Sequence, residues 1–142
     1  MTIGNLRPAT VLIDETAILH NVQHEVARLK KQTQLFAVVK ADAYGHGMLR
    51  VAHVAKAAGA SGFCVALLDE ALDLRAANYT EPVLVLGIVP SQYAAIAAAQ
   101  TVSLPLSRVD WLKQALPVLE AQPELPPLRL HIALDTGMGR IG

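Results

Sequence analysis

The feature that most constrains the fold of this chain is an alternation of short apolar runs with single amphipathic segments. Residues 35–40 form a compact run with two valines, which predicts a strand buried on both faces and ending at Lys40. Residues 63–67 and 83–87 are similar runs, and helical patterns separate them. Strands that alternate with single helices predict an α/β fold with a parallel sheet and right-handed crossovers. Periodicity alone does not distinguish a barrel from a doubly wound sheet.

Residues that favour helix ends mark several boundaries of the predicted elements. Asp14 is a plausible N-cap for the first helix, and a strand-like segment, residues 10–13, precedes it. Asn78 can end the helix that follows the second apolar run, and Ser91 can cap a helix that reaches about residue 99. These positions divide the chain into repeated units of one strand and one helix.

Two prolines weaken the predictions near the end of the sequence. Residues 101–106 are a weaker strand candidate because Pro105 has no N–H to donate, and Pro117 should kink or shorten a helix over about residues 108–119. Residues 128–134 predict a last strand. The chain thus holds about five strand–helix units, whereas a closed barrel needs eight and about 250 residues. We therefore expect part of a larger barrel, with an exposed apolar sheet edge.

Composition excludes several classes of function. The chain is 53% hydrophobic and 17% charged, with 12 basic and 12 acidic residues, so no charged surface for nucleic acid or anionic membrane is indicated. No targeting segment or membrane-spanning run is visible, which predicts a cytoplasmic protein. The single cysteine, Cys64, lies in an apolar run and is predicted to be a buried structural thiol. The expected partner is a small molecule or another subunit.

Lys40 and the residues after it carry the clearest signal of chemistry. Barrels and open α/β sheets gather catalytic groups at the carboxyl ends of their strands, where a lysine can act as a nucleophile. The position of Lys40 alone favours a structural interpretation, in which it is a surface lysine at the rim of the sheet with its amine in solvent. Tyr44, with Gly45 and Gly47 beside it, changes that balance, because a phenol and flexible backbone can approach an anionic ligand. An aldehyde cofactor that carries a phosphate fits this combination.

The motif Ala-Val-Val-Lys-Ala-Asp-Ala-Tyr-Gly-His-Gly at residues 37–47 resembles the cofactor-lysine signature of alanine racemases. The resemblance continues in order through Val-Ala-Leu-Leu-Asp-Glu-Ala at residues 65–71 and Val-Leu-Val-Leu-Gly at 83–87. It extends to Leu-Asp-Thr-Gly-Met-Gly-Arg-Ile-Gly at residues 134–142. It therefore covers nearly the whole chain.

The resemblance implies a fold and a set of site residues. It implies a (β/α)8 TIM barrel, of which residues 1–142 are the amino-terminal part, followed in the family by a mostly β carboxyl-terminal domain that this chain does not include. Pyridoxal 5'-phosphate would be bound to the amine of Lys40. The resemblance also implies that Tyr44 would contact the cofactor phosphate and that Leu86 would pack beside the pyridoxal ring. Arg140 would lie near the phenolic oxygen and the substrate carboxylate, and the backbone at Met138 would line the substrate site.

The implied reaction is the interconversion of L-alanine and D-alanine, which supplies D-alanine for cell-wall peptidoglycan. Lys40 would act as the base on one face of the substrate, and a tyrosine from the other subunit of a homodimer would act on the opposite face. The isolated chain is therefore expected to be inactive. One position departs from many family members, because Ala133 stands where they have a carbamylated lysine that positions the arginine.

The sequence alone does not separate alanine racemisation from several other functions. One is a racemase of another amino acid, such as serine; others are a non-catalytic carrier of pyridoxal phosphate and a gene product without activity. Residues 137–142 match G-x-G-x-x-G, and residues 134–137 resemble an aspartic-protease segment, but both lack the surrounding pattern. His20 and His24 share a helical face without a third ligand, so no metal site is predicted.

Overall fold

A computed structural model describes residues 8–142, which form one five-stranded parallel sheet flanked by helices. The strands are β1 (Phe36–Val38), β2 (Gly62–Val65), β3 (Val83–Val85), β4 (Val102–Leu106) and β5 (Leu130–Ile132). The helical segments are α1 (Glu15–Arg28), α2 (Lys40–Gly45), α3 (Met48–Ala57), α4 (Leu68–Ala76), α5 (Ala94–Ala99), preceded by a 3₁₀ turn (Ser91–Tyr93), and α6 (Val109–Glu120).

The order of the strands decides between the two architectures that periodicity left open. The spatial order is β1-β2-β3-β4-β5, and each strand pairs in parallel with the next strand in the sequence. A doubly wound sheet reverses its strand order at a switch point, whereas a barrel adds each strand on the same side. The fold is therefore part of a TIM-type barrel, as predicted, and all carboxyl ends of the strands lie at one edge.

The core lies between the central strands and the helices that cover them. Phe63, Leu74 and Leu104 are the largest fully buried side chains. The ring of Phe63 meets the ring of Tyr79 edge to face, with 5.4 Å between centroids. Cys64 is a buried free thiol whose pKa is raised by burial, which confirms the prediction of a structural cysteine.

The first predicted strand is absent from the structure. Residues 10–13 have no regular secondary structure, and the side chains of Val11 and Leu12 are 83% and 88% exposed. Residues 10–13 pair with no strand, and among the described residues β1 is an end strand whose outer edge stays unpaired. Asp14, by contrast, is the predicted N-cap of α1, since its carboxylate accepts a hydrogen bond from Ala17 N–H at 3.0 Å.

The prediction for residues 35–40 is wrong in two respects. β1 ends at Val38, and although Val39 N–H still donates to the carbonyl of Cys64 at 2.9 Å, Lys40 begins α2 instead of ending the strand. The strand is also not buried on both faces, because Val38 is 42% exposed. As an end strand, β1 has a neighbour on only one side, and an apolar run does not reveal that position.

Pro105 lies inside β4 without costing a hydrogen bond. Leu104 N–H donates to Arg129 O at 3.0 Å, toward β5, so the amide position of the next residue faces β3. The pairing of β3 with β4 ends at Leu84 and Ser103, and the missing N–H therefore has no ladder partner to lose. The strand therefore forms over residues 102–106, one residue shorter than the candidate over 101–106.

Two helix predictions also need correction. α6 passes through Pro117 and continues to Glu120, so the proline does not shorten it. Ser91 is not an N-cap: Pro90 precedes the 3₁₀ turn, and the Ser91 hydroxyl instead donates to Gln114 Oε1 at 3.0 Å. The Asn78 prediction is confirmed, since its φ of 64° lies in the left-handed region that ends helices.

Arg75 of α4 joins the segments that lead into β3 and β4. Its Nε donates to Gln100 O at 2.9 Å, its Nη1 donates to Tyr79 O at 2.7 Å and to Glu81 O at 3.0 Å, and its Nη2 reaches Thr101 O at 3.4 Å. We expect Arg75→Lys to lower the free energy of unfolding by about 1–3 kcal/mol, because a lysine cannot reproduce the planar fork of donors. Urea unfolding followed by circular dichroism measures this change.

Arg108→Lys is the matched control for Arg75→Lys. Arg108 pairs with Asp110 at 3.3 Å at a site where both side chains are more than half exposed, and an exposed pair contributes little. Equal free energies of unfolding for the two variants would contradict the role assigned to Arg75.

No helix among residues 8–142 combines the length and the apolar character needed to cross a membrane.

Candidate active site

The sequence-predicted site residues lie beyond the carboxyl ends of the strands. Lys40 and Tyr44 follow β1, Leu86 follows β3, and Met138 and Arg140 follow β5. Because the strands are parallel, these three connections leave the same edge of the sheet. This edge is where a barrel of this type forms its active site.

The segment directly after Lys40 is a left-handed helical turn. Ala41, Asp42, Ala43 and Tyr44 have φ values of 51°, 53°, 51° and 57°. A left-handed conformation costs a non-glycine residue roughly 1–2 kcal/mol, and four such residues in a row are rare. Strain of this kind persists only where neighbouring groups hold it, and it concentrates at functional sites.

Local hydrogen bonds stabilise this turn from within the motif. Ala43 N–H donates to Val39 O, and Gly47 N–H donates to Asp42 O, both at 2.9 Å. The Asp42 carboxylate accepts Met48 N–H at 2.7 Å and so caps the amino terminus of α3. The sequence motif around Lys40 therefore encodes a folded unit as well as a set of functional groups.

The turn brings Lys40 and Tyr44 together. The Lys40 ammonium lies 5.8 Å from the centroid of the Tyr44 ring, within the range of a cation–π contact. The lysine is partly buried, while Tyr44 is 63% exposed, so its phenol is free to meet a ligand. Two residues that the sequence assigned to one site are therefore neighbours in the structure.

Glu70 was not identified from the sequence, although it reaches the same turn. It is the third residue of α4, and its Oε1 accepts Ala41 N–H at 2.6 Å. Its Oε2 accepts Ala66 N–H at 2.6 Å and Leu67 N–H at 3.0 Å. An acidic residue three positions after the residue that precedes a helix is a capping signal that could have identified the last of these bonds.

Leu86 and Arg140 line one cavity of about 230 Å³, together with Ala133. Leu86 is fixed by its N–H, which donates to Val65 O at 2.7 Å. Gly87 is required beside it, because a Cβ at this position would lie 2.5 Å from Ala66 O. The cavity thus joins the end of β3 to the loop after β5.

The loop that carries Arg140 is folded around Asp135. The Asp135 carboxylate accepts Gly139 N–H at 3.0 Å and Gly137 N–H at 2.9 Å. These backbone donors hold the pKa of Asp135 below its ordinary value. The Asp-x-Gly-x-Gly spacing at residues 135–139 is the sequence signal for this turn. Met138, at the tip of the loop, is 76% exposed.

The lowered pKa of Asp135 predicts how the loop responds to acid. A carboxylate with a depressed folded pKa keeps its hydrogen bonds above its ordinary pKa and loses them only as the pH falls through the lower folded value. We therefore expect the amide proton shifts of Gly137 and Gly139 to stay constant through the ordinary aspartate range and to change only below it. An NMR pH titration measures this, with Asp135→Asn as the non-titrating control. A change at the ordinary aspartate pKa would contradict the loop structure described here.

The structure brings the predicted site residues together in two pairs. Lys40 approaches Tyr44, and Leu86 shares a cavity with Arg140, while Met138 lies exposed in the loop between β5 and Arg140. The groups present are a primary amine, a phenol and a guanidinium. An amine can bind an aldehyde covalently, and the other two can bind anionic oxygens, so this set fits pyridoxal phosphate.

The described residues offer no comparable set for a metal ion. Over residues 8–142 no group of three His, Cys, Asp or Glu side chains converges. His24, one of the two histidines on the first helix, lies 3.6 Å from Glu25 at an exposed position.

Comparison with known proteins gives a consistent result. A family model described as alanine racemase, N-terminal domain, matches residues 13–142. The alanine racemase of Lacticaseibacillus casei is 88% identical over 142 residues, which are 100% of this chain and 38% of that protein. The alanine racemase structure from E. faecalis superimposes with a TM-score of 0.92 at 48% identity, covering 100% of this chain and 38% of that one. A histidine racemase from Leuconostoc mesenteroides superimposes with a TM-score of 0.80 at 38% identity, over 90% of this chain and 34% of that one.

Proposed function

The chain belongs to the alanine racemase N-terminal domain family, and from this membership we propose that it is the cofactor-holding part of an enzyme that interconverts L-alanine and D-alanine. The chain spans 38% of the length of the Lacticaseibacillus casei racemase. The observation that carries the proposal is the left-handed turn, which sets Lys40 beside Tyr44 at the catalytic edge of the sheet.

The proposed cofactor is pyridoxal 5'-phosphate. Lys40 would hold its aldehyde carbon through Nζ, Tyr44 would bind its phosphate, and Leu86 would pack against its ring. Arg140 would lie near the phenolic oxygen. When bound, this cofactor supplies an electron sink for the negative charge that remains when a proton leaves the substrate Cα.

The residues of this chain then have separate roles in the reaction. Arg140 binds the substrate carboxylate, with the backbone at Met138 lining the same site, and so fixes which Cα face meets Lys40. Lys40 Nζ would remove or return the Cα proton on that face once it is a free amine, released from the aldehyde carbon by the amine of the substrate. Ala133 lines the same cavity as Arg140, but its methyl group cannot form an ion pair with the guanidinium. In this proposal the loop that carries Arg140 is held by the hydrogen bonds from Gly137 and Gly139 to Asp135 instead.

Racemisation needs a second proton-transfer group on the opposite face of Cα. By family resemblance we propose that a tyrosine of a homodimeric partner fills this role, supplied by a carboxyl-terminal β domain outside residues 1–142. In this proposal those residues are the amino-terminal part of the barrel, and on their own they do not catalyse the reaction. D-Alanine for cell-wall peptidoglycan is the proposed product, and the cytoplasmic location predicted from the sequence stays a prediction.

A second candidate differs only in the amino acid. The similarity to a histidine racemase at 38% identity means that this fold also occurs in a protein named for a different amino acid. The residues that select substrate size are expected outside the part of the chain described here. A non-catalytic carrier of pyridoxal phosphate is the third candidate, and it predicts cofactor binding without turnover.

The experiment uses a joined protein, defined as residues 1–142 of this chain followed by the carboxyl-terminal remainder of the Lacticaseibacillus casei racemase. The intact casei enzyme is the control. We expect the joined protein to form D-alanine from L-alanine at a rate within about tenfold of the control. Its preference among alanine, histidine and serine should match that of the control, because the residues expected to select the substrate lie in the casei remainder. Cofactor binding without racemisation of any of the three would instead support a carrier.

A further inference from the structure

The strained turn after Lys40 needs an external support as well as its internal bonds. Its first residue, Ala41, follows Lys40 directly and already has a left-handed φ of 51°. The internal bonds begin at Ala43 N–H, which donates to Val39 O. The amide of Ala41 is held from outside the motif, by Glu70, which lies 29 residues further along the chain.

Both carboxylate oxygens of Glu70 accept hydrogen bonds, and their donors lie in two different segments of the chain. Oε2 accepts Ala66 N–H and Leu67 N–H in the connection from β2 to α4, while Oε1 accepts Ala41 N–H at 2.6 Å. A carboxylate is the only side chain that can accept at both ends without also presenting a donor. Glu70 therefore ties the backbone next to Lys40 to the neighbouring strand–helix connection.

Ordinary helix capping does not account for this arrangement. A glutamate at the third position of α4 needs only its bond to Leu67 N–H to cap the helix. The bond to Ala41 reaches a different element of the fold and fixes the peptide unit that leaves the Lys40 Cα. The direction of the Lys40 side chain depends on that peptide unit.

We propose that Glu70 is a positioning residue for Lys40, because its bond to Ala41 N–H fixes the turn that aims the lysine amine and Tyr44 at the cofactor site. The catalytic effect of this positioning rests on the proposed function, in which Lys40 holds the cofactor. Glu70 touches neither the substrate nor the cofactor in this account, and it acts through the backbone of residues 41–44 alone.

The test compares Glu70→Gln with Asp69→Asn in the joined protein. Glutamine keeps the size of Glu70 but has only one oxygen, so it cannot accept at both segments. Asp69 is an exposed acid in the same first turn of α4, and its change removes an equal charge from the helix terminus. The first readout is the NMR shift and hydrogen exchange of the Ala41 amide, measured without cofactor. The second is the rate at which borohydride traps pyridoxal phosphate on Lys40, together with kcat and KM for alanine.

We expect Glu70→Gln to deprotect the Ala41 amide, to slow trapping at Lys40 and to lower kcat by roughly ten- to a hundredfold, with a smaller change in KM. Asp69→Asn should leave all of these within about twofold of the parent. If Glu70→Gln unfolds, Glu70→Asp, which keeps the charge but shortens the reach, should show the same pattern.

Two results would overturn the proposal for Glu70. One is an unchanged Ala41 amide in Glu70→Gln, and the other is a deprotected Ala41 amide with normal trapping and normal kcat, which would leave Glu70 a helix cap only. Failure of the parent joined protein to trap the cofactor at Lys40 would instead refute the proposed function. That result is separate, since the Ala41 readout uses no cofactor.

Discussion

Replacing Lys40 by alanine should lower the rate of alanine racemisation by the joined protein by about 10³-fold or more. Lys40 is assigned two tasks, covalent attachment of the cofactor and proton transfer at Cα, and proton transfer alone contributes roughly 10²- to 10⁴-fold. The lysine is partly buried at the start of the left-handed turn, and alanine at this position removes the amine on which both tasks depend. The measurement is the initial rate of D-alanine formation from L-alanine.

Lys31→Ala is the matched control for that variant. Lys31 is exposed in the connection between α1 and β1 and lies outside the motif. Its removal should leave the rate unchanged. A Lys40→Ala variant that retains more than a tenth of the parent rate would contradict the assignment.

The largest expected effect on stability is that of Phe63→Ala. Phe63 is 0% exposed, lies in the register between Ala37 of β1 and Val83 of β3, and packs edge to face on Tyr79. Removing a buried phenylalanine ring costs about 3–5 kcal/mol through lost burial and the cavity that remains. That is a large part of the stability of an ordinary domain. We expect the urea midpoint of the 142-residue chain to fall strongly or the variant to be unfolded.

Leu12→Ala provides the comparison for Phe63→Ala. Its side chain is 88% exposed and lies outside any regular element, so the free energy of unfolding should change by less than about 0.5 kcal/mol. Similar losses for both variants would show that the sheet does not pack as described.

The central strands could be predicted from sequence because their environment leaves a simple pattern. β2 and β3 have a strand on each side, and their apolar residues meet neighbours on both faces, so an uninterrupted apolar run identifies them. The same reasoning failed at residues 10–13 and at Val38, where the number of neighbouring strands decides the outcome. That number depends on the tertiary arrangement, which periodicity does not encode.

The left-handed turn could not be predicted from residue types. Its four residues are Ala41, Asp42, Ala43 and Tyr44, and none of them is the glycine that usually indicates a positive φ. The conformation results from bonds to Glu70 and Met48 and from the flanking glycines, which act together. A propensity argument considers each residue separately and therefore predicts an ordinary turn.

The site itself was predictable where its members share a motif. Lys40 and Tyr44 are four residues apart, and their association follows from the short chain between them. Glu70 is far away in sequence and binds only backbone amides, which every residue except proline has. The hydrogen bond between Ala41 N–H and Glu70 therefore cannot be predicted from residue types. Asp135 is an intermediate case, because its spacing to Gly137 and Gly139 indicates the turn but not the position of Arg140.

The most direct test of the account is to find where the cofactor attaches. The joined protein and its Lys40→Ala variant are incubated with pyridoxal phosphate, reduced with borohydride, digested and mapped by mass spectrometry. The account predicts one labelled peptide, with the added mass on Lys40, and loss of that label in the variant. Label on another lysine while the Lys40 peptide stays unmodified, or the same labelling in both proteins, would contradict it.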